Sequence, residues 1–116
     1  MVKVYLSPSN QDDNIYAVGN TNEMIQCNRI ADAAEIALER NGFEVLKAPM
    51  GQAMNVSINQ SNAWGADLHV AIHTNAGGGQ GTEIFIYNSS ASLIADDIMN
   101  ELSAITLSGI IRGVKL

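Results

Sequence analysis

Asp67-Leu68-His69-Val70-Ala71-Ile72-His73-Thr74-Asn75-Ala76, running into Gly77-Gly78-Gly79, is the stretch from which the fold can be read. Residues 68–73 are apolar almost throughout, as expected of a central strand covered on both faces. The strand ends in a histidine and the chain then turns to glycine, which mounts a reactive group on a rigid element at an open rim. His69, four residues before His73, points to the same face of the strand. The rise places the two roughly 13 Å apart, too far to share one metal. His69 therefore reads as a buried or hydrogen-bonded core histidine.

Strand and helix alternate outward from this point. Upstream, residues 56–64 read as a helix, with Asn55 as cap and Gly65 as stop. Residues 43–46 read as a strand. Residues 21–41 read as a helix capped by Thr21, with Met24, Cys27, Ile30, Ala31, Ala34, Ala37 and Leu38 at helical spacing. Residues 3–7 alternate as a first strand that Pro8 stops. Between them, residues 9–22 form a long polar loop, a kind that is often functional. Downstream, residues 77–81 read as a loop, 82–87 as a strand and 90–105 as a helix with Leu93, Ile94, Ile98, Met99 and Leu102 on one face. Residues 107–116 mix glycine and charge with apolar residues, and no strand is assigned there. The pattern predicts an α/β domain over 1–116, a single mostly parallel twisted sheet flanked by helices.

A chain of 116 residues, 47% apolar, is long enough for one core and too apolar for disorder. A formal net charge of -6 with six Lys plus Arg argues against nucleic acid or anionic lipid as a partner. No apolar run is long enough to span a bilayer, and Met1 to Leu6 is too short and strand-like for a signal peptide. Cys27 is a lone cysteine inside the apolar pattern of a helix and reads as a core residue.

His73 ends a strand and Glu23 begins a helix that follows the first strand. Both positions fall near the carboxyl edge of a parallel sheet, where active sites gather. Histidine and glutamate are ligands of catalytic zinc sites that keep a position open for water. Two plainer readings stand beside this one. Glu23 can be a first-turn carboxylate favoured by the helix dipole, and His73 a strand-end cap. Neither histidine has a serine or cysteine partner in sequence, and the glycine run lacks the lysine of a phosphate loop.

Several segments, in this order, carry a family resemblance: Leu6-Ser7-Pro8; Glu23; Ala66 to Ala76; Gly81-Thr82-Glu83-Ile84-Phe85-Ile86-Tyr87; and Arg112-Gly113-Val114-Lys115. Together they resemble the zinc-dependent N-acetylmuramoyl-L-alanine amidases of the type-3 class, found in autolysins and phage endolysins. The resemblance spans nearly the whole chain. It implies a three-layer fold, a Zn2+ cofactor held by Glu23 and His73, and a peptidoglycan substrate cut between the lactyl group and L-alanine. It also implies action on the bacterial cell wall after secretion or phage release, and it places Gln11 and Asn75 beside the substrate cleft.

Two departures accompany the resemblance. The family's third zinc ligand is a histidine in a Pro-Gly-His-like turn, where this chain reads Pro8-Ser9-Asn10-Gln11, so Asn10 takes the third position. The family's catalytic glutamate lies on a strand beyond the Arg-Gly-x-Lys segment, past Leu116, so the expected domain is C-terminally incomplete with its last strand missing. Glu83 is the remaining carboxylate weighed for that role. Two expectations follow: a zinc amidase, or an amidase-like module that binds cell wall or a partner without catalysis. An incomplete sheet edge also predicts self-association.

Overall fold

The computed structural model describes residues 1–74, 81–105 and 111–115. The glycine run 77–79 and Asn75 lie outside the described residues. The chain divides into two units, Met1–Asn75 and Ala76–Leu116.

In the first unit, the alternating segment Lys3–Pro8 forms strand β1. The chain then passes through the loop of residues 9–22 into helix α1, Glu23–Arg40. The cap is Asn22 rather than Thr21: its side chain accepts the Ile25 N–H at 2.9 Å, which satisfies one orphan donor of the first turn. The Thr21 hydroxyl accepts from Gln26 Nε2 instead. Strand β2, Glu44–Lys47, follows, then helix α2, Met54–Trp64. Asn55 lies inside α2, whose N-cap is Ala53 with no side-chain cap bond. Gly65 ends α2 in the left-handed region at φ 79°, a conformation open to glycine without steric cost. Strand β3, Leu68–Ile72, completes the unit.

β1 pairs in parallel with β2 on one side and with β3 on the other, giving the order β2-β1-β3. Among the described pairings the strand flanked on both sides is thus β1, not the 68–73 strand. Val4, Tyr5 and Leu6 are all buried. The Tyr5 hydroxyl reaches Gln60 of α2, so alternation turns Val4 and Leu6 to the opposite face, which α1 covers. Burying side chains of this size stabilises by about 1.5–3 kcal/mol each. The inner stripe of α1 is Glu23, Cys27 and Ala31, one helical turn apart, and Ile30 is half exposed rather than part of it. The small Cys27 and Ala31 let the helix lie close to the sheet, and the core placement of Cys27 holds.

The second unit contains strand β4, Thr82–Phe85, a short 3-10 turn over Ser89–Ala91, helix α3, Ser92–Ser103, and strand β5, Ile111–Lys115. α3 packs on both strands through Ala95 and Met99, while Leu93, Ile94 and Ile98 are exposed. β5 pairs in parallel with β4, so residues 107–116, read as lacking a strand, contain one. The register slips between Thr82 and Glu83: Thr82 pairs with Ile111 but Glu83 with Gly113, leaving Arg112 as the extra residue of a bulge. The α/β class and the parallel pairing agree with the sequence. The described pairings are β2-β1-β3 in the first unit and β4-β5 in the second.

Candidate active site

The order β2-β1-β3 means that the chain leaves β1 to one side, then returns to its other side. Such a reversal opens a crevice at the carboxyl ends of the strands where the direction switches. Here those ends are Pro8 of β1 and Ile72 of β3, which are register partners. The Ser9 N–H donates to the Ile72 carbonyl at 2.9 Å, fixing the two exits side by side. His73 is therefore the first residue past the sheet edge, and Ser9 stands beside it.

Glu23 reaches the same place through the loop. The Glu23 N–H donates to the Asn14 carbonyl at 2.9 Å, and the Met24 N–H to the Gln11 carbonyl at 3.3 Å. Ile15 bridges to Asn22, and the Tyr16 hydroxyl meets the Thr74 hydroxyl at 2.7 Å. The loop is thus tied both to the start of α1 and to the end of β3. It delivers the Glu23 side chain, 2% exposed, against His73, whose side chain is 36% exposed. Glu23 Oε2 lies 3.0 Å from His73 Nδ1.

Three polar partners hold the Glu23 carboxylate. Asn14 Nδ2 donates to Oε1 at 2.5 Å, and the side chains of Ser9 and His73 complete the set. Burial alone pushes this carboxyl up. The hydrogen bonds from Ser9, Asn14 and His73, with the imidazole's charge when protonated, outweigh that and leave it below the ordinary value. The site therefore presents a buried carboxylate anion next to an imidazole with one open side. Beneath it, burial and the Glu23 charge push the Cys27 thiol up, against backbone hydrogen bonding at Ser9 and Thr74. That is the signature of an inert thiol.

Of the residues named from sequence, Glu23 and His73 are brought into contact. Asn10 is exposed and lines an open depression with His73, Ser7, Pro8, Ser9 and Gln52. Gln11 acts through its backbone: its N–H donates to the Ser9 hydroxyl and its carbonyl accepts from Met24. Asn75 lies outside the described residues. Glu83 belongs to the second unit, where Lys115 Nζ at 2.7 Å and Arg112 at 3.5 Å engage its two carboxylate oxygens. His69 bonds the Ser7 hydroxyl at 2.9 Å and packs on the Tyr5 ring, the core role expected of it. Ser9 and Asn14 were not legible in the sequence. No periodic pattern links Asn14 to a carboxylate nine residues later, and only the closed path of the loop does so. Among the described residues, no group of three or more His, Cys, Asp or Glu converges.

No family model matches the chain. It is 34% identical over 93 residues to the sporulation-specific N-acetylmuramoyl-L-alanine amidase of Bacillus subtilis (strain 168), across 75% of this chain and 36% of that protein. It is 28% identical over 112 residues to the N-acetylmuramoyl-L-alanine amidase CwlM of Bacillus licheniformis, across 87% of this chain and 43% of that one. Over most of its length the chain is similar to N-acetylmuramoyl-L-alanine amidases. Its fold is shared with the N-acetylmuramoyl-L-alanine amidase AmiC2 of Nostoc punctiforme, at a TM-score of 0.75 and 17% identity, covering 98% of this chain and 68% of that one. The chain spans 36% and 43% of the length of these two curated relatives.

Proposed function

We propose that the chain is the core of a zinc-dependent N-acetylmuramoyl-L-alanine amidase that acts on the bacterial cell wall, cleaving peptidoglycan between the lactyl group of muramic acid and L-alanine. The observation that carries this reading is the contact between the buried Glu23 carboxylate and the exposed edge of His73 at the carboxyl end of the sheet. The residues fit the metal. Two ligands of one tetrahedral zinc at about 2.0–2.1 Å stand about 3.3 Å apart, and these two atoms stand at 3.0 Å. Glu23 supplies an anionic oxygen kept deprotonated by Ser9 and Asn14, and His73 supplies an imidazole open to the depression. Asn10 offers an amide oxygen on the same depression, a weaker donor than imidazole. When bound, zinc polarises a carbonyl and acidifies water in its open position, which brings amide hydrolysis within reach near neutral pH.

The chain's own residues orient and hold. Ser9 and Asn14 fix the carboxylate so that it cannot swing away from His73. The Tyr16–Thr74 contact anchors the loop that carries Asn14 to the strand end that carries His73. Zinc per chain is expected to be near one in the native protein and to fall sharply in His73→Ala. Release of new L-alanine amino termini from purified peptidoglycan should follow zinc loading and disappear in both His73→Ala and Glu23→Gln. A second reading is favoured by the pair of ligands standing without a third His, Cys, Asp or Glu among the described residues. On that reading the chain binds cell wall without cutting it. Zinc-loaded protein that sediments with peptidoglycan yet releases no amino termini would establish the second reading and overturn the first.

A further inference from the structure

We infer that Gln52 is a substrate-binding residue, its side-chain carbonyl accepting a secondary-amide N–H of a muramoyl-peptide lodged in the depression beside His73. The inference rests on the amidase reading for its ligand, and on a separate cluster of side chains for its geometry. Tyr5 is fully buried, and its hydroxyl lies 2.6 Å from Gln60 Oε1. That separation is ordinary for O–H···O and short for a nitrogen partner, so the phenol proton is committed to Gln60 and Gln60 turns its oxygen inward. Gln52 Nε2 then faces three oxygens: the Tyr5 hydroxyl at 3.1 Å, Ser57 Oγ at 3.0 Å and Gln60 Oε1 at 3.2 Å. Reversing the Gln52 amide would set its oxygen against the Gln60 oxygen and against a phenol whose proton is already given. The nitrogen end therefore points into the network and the carbonyl end points out of it.

Gln52 lines the depression together with Ser7, Ser9, Asn10, Met54 and His73. Among the described residues its carbonyl oxygen has no hydrogen-bond partner. Ser7, on the same wall, is already engaged by His69. The Gln52 backbone is pinned as well, its N–H donating to the Pro49 carbonyl at 3.1 Å. A neutral acceptor held at both ends beside a metal-ligand pair is preorganised for a neutral donor, and little rotamer freedom remains to be lost on binding. A muramoyl-peptide carries that chemistry in its acetamido group, in the amide joining the lactyl group to L-alanine and in the peptide bonds of its stem. Met54 adds an apolar surface next to the acceptor, suited to a methyl group.

The test is calorimetric binding of N-acetylmuramoyl-L-alanyl-D-isoglutamine to the full chain carrying His73→Ala, with and without Gln52→Met, so that the probe is not consumed. Loss of the acceptor is expected to weaken binding about 3- to 10-fold. Three analogues identify the donor, N-methylated at the acetamide, at the lactyl–alanine amide or at the bond following L-alanine. The Gln52→Met penalty should vanish for the analogue that lacks the N–H Gln52 receives and persist for the other two. Equal penalties for the probe and all three analogues would mean that Gln52 only supports the fold, and would overturn the inference. So would an unchanged Kd, or no measurable binding by either chain. Release of amino termini by the native chain reads the amidase proposal separately: hydrolysis with a Gln52-independent Kd sinks only the present inference, and the expected binding pattern without hydrolysis sinks only the amidase.

Discussion

Among the described residues Glu23 is a buried carboxylate, costly to take out of water, and its partners are what make its burial tolerable. Asn14 is the partner whose removal tests this most cleanly, because its side chain does nothing else in the site. Asn14→Ala leaves one carboxylate oxygen without its donor. In metal-free protein at pH 7 it should cost about 1.5–3 kcal/mol, the range for a hydrogen bond to a charged group, read from urea unfolding. A loss under about 0.5 kcal/mol would mean that water replaces the amide without penalty. His69 supplies the pH dependence. Burial holds its imidazole below the ordinary value of 6.5, so the fold favours the neutral form. Between the folded and unfolded values the unfolded chain binds more protons, and stability rises with pH there. The contribution is complete above 6.5 and is lost as pH falls through the depressed folded value. The melting temperature should drop on going from pH 7 towards pH 5, and His69→Gln should flatten that step. At this scale the sequence exposed what sits at the ends of elements. His73 and Glu23 stand where a strand stops and a helix starts, and both could be named from that. Asn14, Ser9 and Gln52 are placed by loop closure and by side-chain networks between distant segments, which leave no mark on local spacing.

Among the elements, β5 was the one hidden in the sequence, and the bulge explains why. A regular strand puts residues i and i+3 on opposite faces, yet Arg112 and Lys115 both engage Glu83. The extra residue at Arg112 and the positive φ of Gly113, at 90°, reset the alternation so that both cations reach one carboxylate. A strand built this way has no period of two to detect, and its glycine reads as a breaker. Gly113 has open space where a Cβ would stand, so the cost of Gly113→Ala is conformational rather than steric. It should come to about 1–3 kcal/mol, the cost of a non-glycine residue held at positive φ. Thermal unfolding followed by circular dichroism measures it, and an unchanged melting temperature would show that the bulge relaxes freely. The helices, by contrast, were legible in extent. Their inner faces were less so, because small residues such as Cys27, Ala31 and Ala95 fill the close contacts while isoleucines at neighbouring positions stay outside.

For the whole molecule, the alternation of strands and helices was enough to place the site at a carboxyl edge. It was not enough to say which strand is flanked on both sides, because apolar content is shared by β1 and the 68–73 segment and only pairing tells them apart. The chain path of the first unit has one more property. Between the end of β1 and the start of α1 the backbone makes an excursion whose two feet are stitched together and whose crown is not. Ser9, Asn14 and Tyr16 hold the feet, while Val18 is 84% exposed beside Gly19 and Asn20, both at positive φ. The excursion therefore behaves as a handle bolted to the floor that carries Glu23 and His73. A Gly-Ser hexapeptide spliced between Ala17 and Val18 should leave the melting temperature and zinc content unchanged, whereas the same splice between Asn14 and Ile15 should cost both. Lineages and engineers alike could lengthen, decorate or exchange the crown, adding new contacts within a few residues of the Glu23–His73 pair without redesigning the arrangement beneath it.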